Sequence, residues 1–209
     1  MSYKILIVDD HMVVKTGVSI ILNSEINDLD IQFASTFSET LDKVKQFSYD
    51  LIILDINIPG GKNIEMIPEI RAIVPEVKIL MFSAHEEESY ALRYIHTGAD
   101  GYLNKLSGEE NIVEAVKSIM DYGKYLTDEI IDKLNDFTLM KEPLNPFDKL
   151  SKREIEIVKL LVKGNGNLEI SNHLNIQMST VSTYKNRVFE KLKINNLVEL
   201  IEKYNSHYS

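Results

Sequence analysis

The chain has 209 residues, a formal net charge of −9 and no cysteine. Its length suits one large or two small domains, and the lack of cysteine excludes disulfides, thiolate zinc sites and thiol nucleophiles. The first residues lack the basic and apolar regions of a signal peptide, and no apolar run approaches the roughly 20 residues of a membrane helix, so we expect a cytoplasmic protein without membrane contact.

The charge is divided unevenly along the chain. Residues 1–121 carry 10 basic and 20 acidic side chains, residues 122–146 carry 3 and 5, and residues 147–209 carry 10 and 7. Such asymmetry is informative about how the chain is organised. The basic excess of the last part is modest, so charge alone does not establish that it binds nucleic acid.

Strand and helix patterns alternate up to about residue 121. Short apolar runs predict buried strands of a parallel sheet at 4–8, 30–34, 51–54, 78–82 and 101–103. Apolar residues at helical spacing lie between them. Gly98 is expected at a left-handed helix C-cap, and Ser107 is expected to open the last helix as part of a capping box. Five strands with intervening helices predict a doubly wound α/β domain.

Residues 122–146 lose this alternation. Residues 127–137 fit a short amphipathic helix, whereas residues 141–146 contain too much proline to continue one. We therefore expect an interdomain linker between a first domain at 1–121 and a second domain at 147–209.

Helical patterns return in residues 147–209. Ser151 and Glu154 form a capping-box signature, and Asn167 and Ser179 are expected to cap the next two helices. Between those helices lies a three-residue turn in which Asn175 suits the left-handed conformation. A fourth helix is expected at 197–204. Two short helices joined by a tight turn in a small all-α domain predict a helix-turn-helix.

Three carboxylates close predicted strands of the first domain. Asp9 and Asp10 follow the first strand, and Asp55 follows the third. In open α/β sheets the ligand crevice lies at the carboxyl ends of the strands, so we expect these acids to meet there and to hold a hard divalent cation such as Mg²⁺. Asp55 is the candidate nucleophile, because a carboxylate accepts a phosphoryl group as a labile aspartyl phosphate.

Two further strand ends carry complementary groups. Ser83 follows the fourth strand and offers a hydroxyl to a phosphate oxygen, and Lys105 follows the fifth and offers a positive charge. Taken singly, each has an ordinary alternative: a helix cap for Ser83, and a solvent-exposed loop for Lys105. Their conjunction with the three acids, at four different strand ends, favours a site for phosphoryl transfer.

Residues 1–121 resemble the receiver domain of bacterial two-component response regulators. The motifs that carry the resemblance are the acid pair and the strand-end residues with their neighbours: Asp9-Asp10, Asp55 with Pro59 four residues later, Ser83-Ala84, and Tyr102 three residues before Lys105. The resemblance implies a flavodoxin-like fold in which Asp55 is the phosphoacceptor.

The resemblance also implies roles for the neighbouring residues. Asp10 would bind Mg²⁺ directly and Asp9 mainly through water, with Asp55 and the backbone carbonyl of Asn57 as further ligands. Ser83 and Tyr102 would form a switch pair, in which the hydroxyl moves toward the phosphate and the aromatic ring turns inward.

Three positions near this expected site depart from the family pattern or have an ordinary alternative interpretation. Asn63 stands where the family often has glycine, but asparagine also tolerates positive φ. Leu106 replaces the proline commonly found after the lysine. His85 lies where the family tunes dephosphorylation, and its ordinary interpretation is a solvent-exposed loop histidine.

Residues 147–209 resemble the DNA-binding domain of the LuxR/FixJ (NarL-type) regulators. The matching residues are distributed over the expected four helices: Leu150-Ser151-Lys152-Arg153-Glu154, Gly164, Glu169-Ile170-Ser171, Leu174-Asn175-Ile176, and the run from Ser179 to Val188. The order and spacing of the two resemblances match that family's two-domain architecture.

The expected recognition helix has an inward and an outward face. Val181, Tyr184, Val188 and Leu192 share one face and are expected to pack inward. The outward residues are expected to contact DNA, with Ser182, Thr183 and Asn186 at base edges and Thr180, Lys185, Arg187 and Lys191 at phosphates. Because basic groups are few, affinity is expected to come from a homodimer on paired half-sites, with the apolar surface of the final helix as a candidate dimer contact.

The combined pattern predicts a transcription regulator switched by phosphorylation. A sensor histidine kinase would phosphorylate Asp55, and the active protein would bind double-stranded promoter DNA, with RNA polymerase as a further candidate partner. The only chemistry expected is self-phosphorylation from a phosphodonor and autodephosphorylation.

Two other function classes compete with this prediction. An aspartyl-phosphate phosphatase usually carries a second acid two residues after the nucleophile, where this chain has Asn57. A DNA-binding regulator with a constitutive receiver dimer, independent of phosphorylation, stays open.

Overall fold

The computed structural model of the protein describes residues 2–84, 87–140 and 145–208. The chain divides into two compact units, Met1–Met140 and Lys141–Ser209. The prediction for His85 and part of the proline-rich segment, residues 141–144, lie outside the described residues. Within the described ranges, no helix combines the length and apolar character needed to cross a membrane.

The first unit is built on a parallel sheet of five strands in the order β2-β1-β3-β4-β5. The strands are β1 (Tyr3–Val8), β2 (Leu29–Ala34), β3 (Leu51–Asp55), β4 (Lys78–Ser83) and β5 (Gly101–Asn104). Each lies within one residue of its predicted bounds. The doubly wound fold is therefore confirmed.

Helices cover both faces of this sheet, which explains why the central strands carry continuous runs of buried apolar residues. They are α1 (Met12–Glu25), α2 (Phe37–Gln46), α3 (Met66–Ile73), α4 (Glu87–Thr97) and α5 (Glu109–Tyr122). Alternate strand residues face opposite sides: Leu6 and Ile52 belong to the core with α2, α3 and α4, and Ile5 and Ile53 to the core with α1 and α5.

The local backbone geometry agrees with the predictions for Gly98 and Asn63 but not with the prediction for Ser107. Gly98 has a φ of 109° after α4, as expected for a left-handed C-cap, and Asn63 has a φ of 48°. The prediction that Ser107 caps α5 is wrong. The cap residue is Gly108, which makes no side-chain cap bond, and the carbonyl of Gly108 accepts from the backbone of Asn111.

A sixth helix, α6 (Asp128–Met140), packs on the first unit. The preceding segment is anchored by Tyr125, which forms a parallel bridge to Gly101 at the start of β5. A Cβ on Gly101 would lie 3.1 Å from the Tyr125 carbonyl oxygen, so this close approach favours glycine. Ile130 is then buried in the same core as Tyr94 and Tyr102. Residues 122–140, expected in the linker, thus belong to the first compact unit.

The second unit is all helical, as predicted. A 3₁₀ turn (Pro146–Lys149) precedes α7 (Lys152–Val162), α8 (Asn167–Leu174), α9 (Met178–Leu192) and α10 (Leu197–Tyr208). Its core joins apolar residues of the turn and all four helices, among them Phe147, Ile157, Ile170, Val188 and Leu200.

The helix ends of the second unit test the capping predictions. Ser151 and Glu154 form the expected capping box, and Asn175 has a φ of 51° in the turn between α8 and α9. The caps predicted at Asn167 and Ser179 are displaced toward the N-terminus, because Gly166 and Gln177 occupy the N-cap positions. The carboxylate of Glu169 accepts from the Gly166 backbone at 2.7 Å and fixes the start of α8.

Candidate functional site

The carboxyl ends of β1 and β3 place two acids side by side. Val8 pairs with Leu54 in the sheet, so Asp9 and Asp55, the next residue of each strand, end at the same edge. Both side chains are buried. Asp9 is held in the ladder by its backbone N–H, which donates to the Ala34 carbonyl at 3.1 Å. The sheet register therefore produces the predicted concentration of negative charge.

Lys105 connects these two acids. Its Nζ lies 2.6 Å from Asp9 Oδ2 and 2.9 Å from Asp55 Oδ2. The backbone N–H of Lys105 donates to the Ser83 carbonyl at 2.7 Å and so positions the lysine directly after β5. Burial by itself lowers the pKa of Lys105, but the contacts with Asp9 and Asp55 outweigh it and raise the pKa above its ordinary value. The ammonium is thus held charged between two carboxylates.

Asp9 and Asp10 fit a hard divalent cation. Asp9 Oδ1 accepts from the His11 backbone at 2.8 Å, and the buried Oδ2 is paired with the Lys105 ammonium at 2.6 Å. Ligand atoms of Asp9, Asp10 and His11 lie within 4.8 Å of one another. Two adjacent carboxylates with an imidazole beside them are a donor set that suits a divalent cation such as Mg²⁺.

The remaining predicted receiver residues lie around the same edge of the sheet. Ser83 is buried at the end of β4 and pairs with Asn104, and Asn57 is exposed two residues after Asp55. Tyr102 is fully buried, with its ring centroid 6.3 Å from that of Tyr94 on α4. The structure thus brings Asp9, Asp55 and Lys105 into direct contact and holds the aromatic ring inward.

His11 is a residue of this site that sequence reasoning missed. It is the N-cap residue of α1, yet its side chain makes no cap hydrogen bond. The ring Nδ1 lies 2.6 Å from Asp10 Oδ1 and 3.2 Å from Asp9 Oδ1. The available signal was its position directly after the acid pair.

Helix α9 presents a polar face on the second unit. Val181, Val188 and Leu192 are buried, and Tyr184 packs against the same core, which confirms the predicted inward face. Of the residues predicted to contact DNA, Thr183, Asn186, Arg187 and Lys191 are exposed, and Thr180, Ser182 and Lys185 are half-buried.

Several polar groups of α9 are engaged within the fold. The Ser182 hydroxyl accepts from Asn167 Nδ2 at 3.2 Å, and the Thr183 hydroxyl donates to the Ser179 carbonyl at 3.0 Å. Arg187 lies over the ring of Tyr184, 5.9 Å from its centroid. These contacts orient the outward side chains along the helix.

Lys191 is bound to a buried carboxylate, which the sequence did not suggest. Its Nζ lies 2.7 Å from Oε2 of Glu154, at the start of α7. Burial raises the pKa of Glu154, but hydrogen bonds from Lys191 and Ser151 outweigh it and lower the pKa below its ordinary value. The pair connects the first and third helices of the unit, and the predicted phosphate contact of Lys191 would have to coexist with it.

Comparison with known proteins gives two family matches in the same order. Residues 5–117 match the response regulator receiver domain family, and residues 148–204 match the LuxR family of bacterial regulatory proteins. The chain is 34% identical to the oxygen regulatory protein NreC of Staphylococcus carnosus (strain TM300) and 33% identical to that of Staphylococcus epidermidis (strain ATCC 12228 / FDA PCI 1200), in both cases over 95% of each chain.

Solved structures share the fold. A complex of the two-component response regulator RcsB with DNA has a TM-score of 0.72 at 22% identity and covers 99% of this chain and 100% of that chain. RcsB of Salmonella enterica serovar Typhimurium, bound to promoter P1flhDC with phosphomimetic BeF3-, has a TM-score of 0.75 at 20% identity, over 99% of each chain.

Proposed function

The chain belongs to the LuxR-family (NarL-type) two-component response regulators, and on that premise we propose that phosphorylation of Asp55 by a sensor histidine kinase switches its binding to promoter DNA. The observation that carries the proposal is the Lys105 ammonium held between Asp9 and Asp55 at the carboxyl edge of the sheet. The proposed phosphoacceptor domain comprises residues 1–121, and the proposed DNA-binding domain residues 147–209.

The nucleophile in the proposed reaction is the carboxylate of Asp55. One of its oxygens attacks phosphorus in line with the donor's leaving group, so that an acyl phosphate bond forms as the bond to the donor breaks. Mg²⁺, when bound by Asp9, Asp10, Asp55 and the backbone carbonyl of Asn57, would neutralise charge on the phosphoryl oxygens.

Lys105 and Ser83 would stabilise the phosphorylated product. Lys105 is already charged and within 2.9 Å of Asp55, so its ammonium can pair with a phosphoryl oxygen after a small shift. The Ser83 hydroxyl lies at the end of the neighbouring strand and would donate to another oxygen. That movement, coupled to the buried ring of Tyr102, would favour the active member of a pre-existing equilibrium.

The active state would bind DNA through α9 as a homodimer. Thr183, Asn186 and Arg187 are exposed and available to a major groove, and a modest basic excess favours two protomers on paired half-sites. Val198 on α10 is 63% exposed and is a candidate dimer contact. The similarity to RcsB, whose structures include one of two dimers bound to two parallel DNAs, supports this arrangement.

The phosphoacceptor assignment is tested by intact mass after incubation with Mg²⁺ and acetyl phosphate. Wild type and an Asp121→Asn control are expected to gain one phosphoryl group, and Asp55→Asn is expected to gain none. An equal adduct on Asp55→Asn, or no adduct on wild type, would reject Asp55 as phosphoacceptor. The second result would leave the phosphorylation-independent regulator as the better account.

A further inference from the structure

The side chain of His11 is directed at the acid pair and does not cap α1. The ring is 69% exposed, and α1 receives no cap hydrogen bond from it. Within the described part of the chain, the ring bonds only to the carboxylates of Asp9 and Asp10. An exposed imidazole–carboxylate pair contributes little to stability, so its geometry is better examined as part of the site.

The spacing of these groups suits shared coordination. Neighbouring ligands of an octahedral ion with bonds of about 2.1 Å lie about 3 Å apart. His11 Nδ1 and Asp9 Oδ1 are 3.2 Å apart, and Nδ1 and Asp10 Oδ1 are 2.6 Å apart. The ligand atoms of Asp9, Asp10 and His11 all lie within 4.8 Å of one another.

An imidazole changes which metals such a site prefers. Carboxylate and carbonyl oxygens suit Mg²⁺, whereas imidazole nitrogen suits later first-row metals such as Ni²⁺ and Zn²⁺. We propose that His11 is an additional, metal-selective ligand of this site, which binds Ni²⁺ and Zn²⁺ through Nδ1 while contributing little to Mg²⁺ binding. The ring then carries its proton on Nε2, which the exposed side chain can present to water.

This inference rests on the proposed Mg²⁺ site formed by Asp9 and Asp10. It implies that the receiver of this chain takes up late divalent metals more tightly than its carboxylates alone would. Such metals would compete with Mg²⁺ for the acids that support phosphorylation of Asp55. The selectivity resides in one side chain and can therefore be removed without removing the acids.

The test is calorimetric titration of full-length protein with Mg²⁺ and, separately, with Ni²⁺. His11→Ala is expected to weaken Ni²⁺ binding on the order of tenfold or more and Mg²⁺ binding by less than about twofold. His11→Asn keeps a hydrogen-bond donor beside Asp10, and it is expected to behave like His11→Ala. Asp10→Asn is expected to weaken both metals, and His173→Ala, on the second unit, neither.

Other outcomes reject the inference in distinguishable ways. An equal loss for both metals in His11→Ala, restored by His11→Asn, would mean that the ring only positions Asp10. No loss for either metal would make the ring a solvent contact. Failure of wild type to bind Mg²⁺ would instead reject the proposed metal site. As a direct readout, ¹⁵N spectra of histidine-labelled protein are expected to show Zn²⁺ shifting the Nδ1 signal of His11, and an unshifted signal would also overturn the proposal.

Discussion

Truncation of Ile130 tests whether α6 is part of the first unit. Ile130 is 3% exposed and packs in the core that contains Tyr94 and Tyr102, whereas its neighbour Ile131 is 41% exposed. Removing a buried isoleucine side chain costs about 2–5 kcal/mol, and a helix at the periphery of the core can partly relax, so we expect about 2.5 kcal/mol for Ile130→Ala. With a urea slope of roughly 2 kcal/mol/M, the unfolding midpoint falls by about 1.2 M.

The matched control is Ile131→Ala on the same turn of α6. Surface substitutions usually change stability by no more than about 0.5 kcal/mol, and alanine favours the helix, so its midpoint is expected to stay near that of wild type. The assay is limited proteolysis of the full chain across a urea series, with mass-identified fragments that assign each midpoint to its unit. Equal midpoints for the two variants would refute the packing of α6 on this core.

Three further predictions concern the charged groups. Lys105→Met leaves two buried carboxylates without a counter-charge, so the unfolding free energy of the metal-free protein is expected to fall by on the order of 3 kcal/mol. Mg²⁺ is expected to raise the melting temperature of this variant more than that of wild type. A melting temperature of the metal-free variant equal to that of wild type would contradict the ion pairs. Because the pKa of Glu154 is lowered in the folded protein, its ion pair contributes fully to stability at a pH above the ordinary pKa of 4.5. This contribution is lost as the pH falls through the lower pKa of the folded state. The free energy of unfolding of the second unit can be measured in urea from its core methyl signals, between about pH 6 and about pH 3.5. It is expected to fall with pH in wild type and to fall less in Glu154→Gln, and identical pH profiles of the two proteins would argue against the pair. On DNA, Arg187→Ala is expected to weaken binding uniformly and reduce the salt slope by about 1, whereas Asn186→Ala is expected to relax base preference; the reverse pattern in a binding selection would reject these roles.

The features predictable from sequence are those that depend on neighbouring residues. The central strands were recognisable because helices cover both sheet faces and the strands carry continuous apolar runs, as in Ile5 to Val8. Strand ends of a parallel sheet share one edge, so Asp9, Asp55 and Lys105 could be placed together before their distances were known. Their residue types then pointed to phosphoryl transfer.

The features that sequence did not reveal depend on long-range packing. The pattern of α6 predicted a helix but not its attachment, which requires the backbone of Tyr125 to pass close to Gly101. The pair between Glu154 and Lys191 joins residues 37 positions apart, so no local spacing indicates it. Ser107 carried a capping signal, but the chain enters α5 through Gly108 instead.

The central claim is that phosphorylation of Asp55 controls DNA binding. It is tested by fluorescence anisotropy with a duplex selected from a random library on the phosphorylated full-length protein. Acetyl phosphate and Mg²⁺ are expected to tighten binding by wild type about tenfold, a typical coupling between two sites, and to leave Asp55→Asn unchanged. Equal affinity of wild type with and without the phosphodonor, once the phosphoryl adduct is verified by mass, would contradict the account.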